Sequence, residues 1–138
     1  MLPERITVDL ITPERRVLCQ EVEEVVMPGE QGSFGVRPGH HPLLSALDPG
    51  RLWFVKAGAA EEFAVGEGFA EVLRDRVNVL VSTCEAAPEI DVERARRAFD
   101  RARERLRSRD PGVDRARAER ARRRAQARLQ VARSAAAK

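Results

Sequence analysis

Val77-Asn78-Val79-Leu80-Val81-Ser82-Thr83-Cys84-Glu85-Ala86-Ala87-Pro88-Glu89-Ile90-Asp91-Val92-Glu93-Arg94-Ala95 contains the seam of this chain, at Ala87-Pro88-Glu89-Ile90-Asp91. Residues 77–83 are a short β-branched run that reads as a strand. Beyond Asp91, by contrast, Ala95, Ala98, Phe99, Ala102 and Leu106 recur at spacings of three and four. That spacing is one face of a helix reaching about Ser108. Charge changes sign at the same place. Residues 1–90 carry 8 basic and 15 acidic side chains, a net of −7, and residues 91–138 carry 17 and 7, a net of +10. The overall charge of +3 hides this asymmetry, which points to partners that read charge.

Working back from the seam, the chain reads as short strands cut by Pro-Gly turns. Ile6-Thr7-Val8-Asp9-Leu10 alternates apolar and polar, the period of a half-buried strand, and Thr12-Pro13-Glu14 stops it. Strands follow at 17–18, 22–27, 34–36, 43–47, 51–55, 63–65, 69–73 and 77–83, about nine in all. Such spacing without helical periodicity predicts an antiparallel sandwich or flattened barrel.

Working forward, Arg109-Asp110-Pro111-Gly112 breaks the first helix. A second stripe then runs through Ala118, Ala121, Ala125, Leu129 and Ala132. Asp91 and Asp114 each stand where an N-cap belongs, and each opens the same Asp-x-x-Arg-Ala pattern. Two helices with so short a break predict an antiparallel hairpin. The fold class is therefore α+β: a β-sandwich over 1–88 and a helical hairpin over 89–138.

Most function classes find no support. Met1-Leu2-Pro3-Glu4-Arg5 lacks the basic start and apolar run of a secretory leader. No stretch approaches the roughly 20 apolar residues that span a bilayer. Cys19 and Cys84 fit no metal or redox spacing and are expected to be reduced and buried. His40-His41 has no third ligand at useful spacing and reads as part of a turn. Gly29, Gly32 and Gly35 lack the lysine and the strand–loop–helix context of a phosphate-binding loop. No catalytic residue and no metal site is expected. With no Tyr and one Trp, a stacking surface for single-stranded nucleic acid is poorly stocked.

The arginines carry more information. Arg97, Arg101, Arg105 and Arg109 stand four apart, as do Arg120, Arg124 and Arg128. Like charges at that spacing cost a helix about 0.2–0.5 kcal/mol per pair. Glu93 beside Arg97 and Glu119 beside Arg123 relieve only part of this. Either the rows form a solvated face or they meet an anion: a nucleotide, an acidic protein surface or nucleic acid.

Met27-Pro28-Gly29-Glu30-Gln31-Gly32-Ser33-Phe34-Gly35-Val36-Arg37-Pro38-Gly39-His40-His41-Pro42-Leu43-Leu44-Ser45-Ala46-Leu47-Asp48-Pro49-Gly50 resembles the signature of the epsilon subunit family of F-type ATP synthases. Gly66-Glu67-Gly68-Phe69-Ala70-Glu71-Val72-Leu73 and Val77-Asn78-Val79-Leu80-Val81, then Glu85, resemble the family's next blocks in order. The resemblance implies a flattened ten-strand sandwich followed by two helices. It also implies a sandwich seated at the foot of the central stalk, against the gamma subunit and the membrane ring. Thr12 with Pro13, the Gly32-Ser33-Phe34 loop and His40 then belong to the rotor interface. Where family members often carry an acidic residue, this chain has Ser33.

Some bacterial members bind ATP through an (Ile/Leu)-Asp-x-x-Arg-Ala motif, intact here as Ile90-Asp91-Val92-Glu93-Arg94-Ala95. By resemblance the ATP set is Glu85, Ile90, Asp91, Arg94, Ala95, Arg101, Arg124 and Arg128. Arg124 and Arg128 lie one turn apart and can share a polyphosphate that offsets their repulsion. Arg115, off that row, is expected to matter little for ATP binding. No cofactor is required; ATP enters as a regulatory ligand. The implied protein is a non-catalytic regulatory subunit at the cytoplasmic face of the cell inner membrane, peripheral. It couples rotor to ring and restrains ATP hydrolysis through a mobile hairpin. That hairpin meets an acidic surface of the catalytic alpha/beta head when extended, and no nucleic acid is expected as a partner. Its rival is a nucleic-acid-binding module with a basic helical arm, suggested by the +10 tail.

Overall fold

Alternation in the front half and three-four spacing in the back half become ten strands and two helices. A computed structural model describes residues 4–137. Residues 1–3, part of the stretch read for a leader, lie outside the described residues. In chain order the strands are β1 (Ile6–Ile11), β2 (Arg16–Val22), β3 (Glu24–Gly29), β4 (Gly32–Val36) and β5 (Leu43–Leu47). They continue as β6 (Gly50–Lys56), β7 (Ala59–Val65), β8 (Gly68–Val72), β9 (Arg76–Val81) and β10 (Cys84–Glu85). A 3-10 turn at Ala87–Glu89 leads into α1 (Val92–Arg107) and then α2 (Arg115–Ala136). No helix among the described residues is long and apolar enough to cross a membrane.

The strands hydrogen-bond in the order β10-β7-β6-β3-β5-β8-β9-β1-β2, with β4 added on β3. Among the described residues the nine strands read from periodicity are joined by a tenth, as the resemblance implies. Cys84–Glu85 pairs with β7 through Cys84 opposite Val65. One correction follows. The sheet is not wholly antiparallel: β1 runs parallel to β9, Val8 opposite Val77 and Leu10 opposite Val79. Those four side chains are fully buried, as are Ile6, Val22, Val25, Met27, Leu52 and Phe54. Phe54 stacks on Phe63 with centroids 6.0 Å apart at the middle of this core.

Two glycine-dependent features shape the sheet. The β6–β7 hairpin turns at Ala57 and Gly58, with φ of 52° and 76°, the paired positive angles of a tight two-residue loop. Gly68 lies so close to β9 that a Cβ there would stand 1.9 Å from the Leu80 carbonyl oxygen. On the outer surface of β1, Asp9 is buried between two arginines. Arg16 Nε is 3.0 Å from Oδ1, out of line for a hydrogen bond, and Arg76 Nη1 is 3.6 Å from Oδ2.

Both helices start as the sequence implies. Asp91 Oδ1 accepts from the Arg94 N–H, and Asp114 Oδ1 from the Arg117 N–H, each at 3.1 Å. The hairpin lies with α2 against the sandwich and α1 on α2. This layering gives α2 two buried faces. Ala118 and Ala125 take the side of α1, whose own buried residues are Ala95 and Ala102. Ala127 and Val131 take the other side and cluster with Ala64 and Ile90. The sequence stripe found the first face and missed Ala127 on the second. Arg115 has a structural part: Nη1 and Nη2 donate to the Leu106 and Ser108 carbonyls at 2.8 and 2.6 Å, closing the end of α1.

Cys84 is buried, but Cys19 is exposed, contrary to the sequence reading. Cys19 sits opposite Asp9 on β2, one position out of phase with the inward residues. Burial, reinforced by Glu89 and Glu85 and opposed by Arg15, pushes the Cys84 thiol up to about 12.

Candidate functional site

Three arginines of α2 meet three carboxylates from three separate parts of the sandwich. Arg123 Nη1 is 2.6 Å from Asp48 Oδ2, at the β5–β6 turn. Arg124 Nη1 is 2.9 Å from Glu67 Oε2, at the β7–β8 turn. Arg128 Nε is 2.5 Å from Glu85 Oε1, on β10. Glu67 is itself held, its Oε1 accepting from the Ser82 hydroxyl at 2.8 Å. All six side chains are half-buried, between 27% and 41% exposed. Water therefore screens these pairs less than it would fully exposed ones.

Along α2 itself, Glu119 accepts from Arg122 and from Arg123 Nε, the latter at 3.1 Å. The Arg122 hydrogen bonds, with those of Arg123 behind them, hold the Glu119 carboxyl down at about 2 against some loss of hydration. The same contact raises Arg122 above its ordinary value. Among the described residues, the expected Glu93–Arg97 partner pair does not form.

The ATP set implied by the sequence is only partly brought together. Glu85 and Arg128 touch, Arg124 lies one turn away on the same helix, and Ile90 packs beside Ala127 and Val131. Asp91 spends a carboxylate oxygen on its own helix cap. Ala95 is buried, whereas Arg94 and Arg101 are exposed on α1 and form no ion pair among the described residues. Asp48, Glu67 and Arg123 were not foreseen. Only fold topology brings Asp48 and Glu67 to arginines 75 and 57 positions away.

The rotor set lies elsewhere on the sandwich. Thr12 is buried, its hydroxyl donating to the Arg15 carbonyl at 3.3 Å inside the β1–β2 turn. Gly32 and Ser33 are exposed at the β3–β4 turn, and Phe34 packs partly into the core. His40 is half-buried, with Nδ1 2.7 Å from the His41 carbonyl. Between these loops runs an apolar face that sequence reasoning had assigned to strands without separating inside from outside. Leu44 is 70% exposed, Phe69 48% and Leu80 38%. Phe69 pairs with Ala46 on one side and Leu80 on the other, so the patch crosses β5, β8 and β9. A cleft of about 310 Å³ joins Leu80 to Thr12 and Pro13.

Comparison with known proteins agrees along the whole chain. Residues 5–87 match the family described as ATP synthase, Delta/Epsilon chain, beta-sandwich domain. Residues 89–133 match ATP synthase, Delta/Epsilon chain, long alpha-helix domain. The ATP synthase epsilon chain of Anaeromyxobacter sp. (strain K) is 52% identical over 128 residues, 92% of this chain and 97% of its own length. That of Geotalea uraniireducens (strain Rf4) is 45% identical over 138 residues, 99% of this chain and 100% of its own. Among solved structures, a chain of the Euglena gracilis mitochondrial ATP synthase (OSCP/F1/c-ring in rotational state 1) superposes with a TM-score of 0.80. It is 25% identical and is matched over 100% of this chain and 84% of that one. A chain of the Tetrahymena thermophila mitochondrial ATP synthase central stalk/c-ring shares the fold, at a TM-score of 0.57 and 14% identity, over 98% of each chain.

Proposed function

The chain belongs to the ATP synthase delta/epsilon chain family, and we propose that it is a central-stalk subunit whose sandwich joins the gamma subunit to the membrane ring. The observation that carries this reading is the apolar face of Leu44, Phe69 and Leu80, bordered by the Thr12-Pro13 turn. It offers the gamma subunit a surface to cover, while the Gly32-Ser33-Phe34 turn and His40 remain for the ring. The chain then works as a mechanical link at the cytoplasmic face of the inner membrane. Catalysis belongs to the assembled complex.

The test is binding of the isolated gamma subunit. Burying one large apolar side chain contributes about 1.5–3 kcal/mol, so Leu44→Asp with Phe69→Asp weakens binding by at least about a hundredfold. The Arg96→Ala control leaves it unchanged. Undiminished binding by the double variant removes the proposed interface. A fragment ending near Pro88, the proposed domain boundary, should bind as well as the full chain.

The second half of the proposal is regulatory: the hairpin restrains ATP hydrolysis when extended toward an acidic surface of the alpha/beta head. The supporting feature is its net positive, arginine-dense sequence on a weakly buried helix pair. ATP, bound through Asp91, Arg94, Arg101, Arg124 and Arg128 beside Glu85, Ile90 and Ala95, would favour the compact form by mass action. Deleting residues 109–138 is expected to raise hydrolysis by the complex, most at low ATP. An unchanged rate at every ATP concentration would exclude the hairpin as the brake.

A further inference from the structure

Very little apolar surface holds α2 to the sandwich. The buried cluster between them is Ala64, Ile90, Ala127 and Val131, with Ala87 and Ala132 partly covered. Beside it, one flank of α2 stands off the sheet. The gap is a cleft of about 770 Å³, with Trp53 and Pro28 on the sheet side and Gln126, Gln130 and Arg133 on the helix side. Charge fills the role that packing does not. Three arginines within six positions of α2 each find a carboxylate of the sandwich: Arg123 with Asp48, Arg124 with Glu67, Arg128 with Glu85. The three acids come from the β5–β6 turn, the β7–β8 turn and β10. Such an arrangement resists both sliding and rotation of the helix.

We propose that these three pairs form an ionic latch that keeps the hairpin closed without any nucleotide, with Asp48, Glu67 and Glu85 as its receptor on the sandwich. The latch goes beyond the regulatory reading by naming what holds the closed state, and it rests on that reading only for its consequence. Two consequences follow from the geometry. Ionic strength sets the closed population, because pairs more than a quarter exposed are screened by salt. A polyphosphate reaching for Arg124 and Arg128 must first displace Glu67 and Glu85. The latch therefore lowers the affinity for such an anion by the cost of breaking two pairs.

The experiment uses the full chain in nucleotide-free buffer. Trypsin cleavage within the arginine-rich α2 reports opening, and emission of the single tryptophan, Trp53, under α2 reports the same event independently. Raising salt from 0.05 to 1 M should speed cleavage and red-shift the emission. Neutralising one acid, as in Glu67→Gln, should raise the open-to-closed ratio about two- to fivefold, and neutralising all three tenfold or more. The exchange Glu67→Arg with Arg124→Glu should restore protection lost in either single variant. Sheet ellipticity should be unchanged throughout. Cleavage indifferent to salt and neutralisation overturns the latch, and so does a loss that the exchange fails to restore. A hairpin that ignores salt here but still governs hydrolysis in the complex would sink the latch and leave the regulatory reading intact.

Discussion

Arg115 reaches back across the hairpin turn to Ser108, its Nη2 donating to the Ser108 carbonyl at 2.6 Å while Nη1 serves Leu106. The first residue of α2 thus closes the open end of α1. Arg115→Ala leaves two helix-terminal carbonyls to water. We expect the hairpin to lose about 1 kcal/mol, read as a lower melting midpoint of the helical signal with the sheet signal unmoved. Identical melts would mean that the clasp contributes nothing in solution.

Gly68→Ala should be among the most damaging small changes in the sandwich. Its Cβ would sit 1.9 Å from a backbone oxygen of β9, so the two strands must part. A cost of about 1–3 kcal/mol or more is expected, seen as a lower urea midpoint for the sheet. Gly58→Ala, in open space but at positive φ, makes a comparison governed by backbone strain alone.

Thiol titration should find one reactive cysteine in the native chain and two in denaturant. Cys19 is exposed, whereas Cys84 is buried with its thiol raised to about 12. At pH 8 the Cys84 thiolate is then on the order of one molecule in ten thousand, so unfolding gates its reaction. A Cys19→Ser variant that still reacts rapidly would overturn this assignment.

Glu119 should make α2 sensitive to acid below the usual carboxylate range. Its folded value of about 2 lies under the ordinary 4.5, so its stabilising contribution is complete above pH 4.5. That contribution fades as pH falls from there through about 2. The group is a third exposed, and solvent screening limits the effect to about 0.2–1 kcal/mol. Helical ellipticity of Glu119→Gln should fall below the parent at pH 6 and converge with it near pH 2. A gap that persists at pH 2 would point to a contact other than charge.

What the sequence revealed and what it hid divide along one physical line. Caps, turns and periodic faces are local, so Asp91, Asp114 and the Ala95–Ala102 stripe could be read directly. β10 was invisible because two residues carry no period, and Ala59-Ala60-Glu61-Glu62 hid the start of β7 because Ala and Glu favour strands little. The tight loop at Ala57-Gly58 draws that segment into the sheet. In an alanine-rich α2, the face toward α1 and the face toward the sandwich merge into one pattern, which hid Ala127. Leu44, Phe69 and Leu80 could not be told from core positions, because their inward neighbours Leu47, Ala70 and Val79 are apolar too. Asp48 and Glu67 looked like ordinary turn residues; only topology supplies their arginines.

The parallel alignment of β1 with β9 sets Thr7 beside Arg76. This couples one strand to another that follows it only after seven intervening strands. During translation β1 can hairpin with β2 at once, but its other edge must wait until β9 has left the ribosome. Over that interval an apolar strand edge is unprotected. The helical hairpin, built from near neighbours in the chain, emerges after the strands and forms quickly. It thus arrives at a sandwich whose carboxylates can already be in place to receive it.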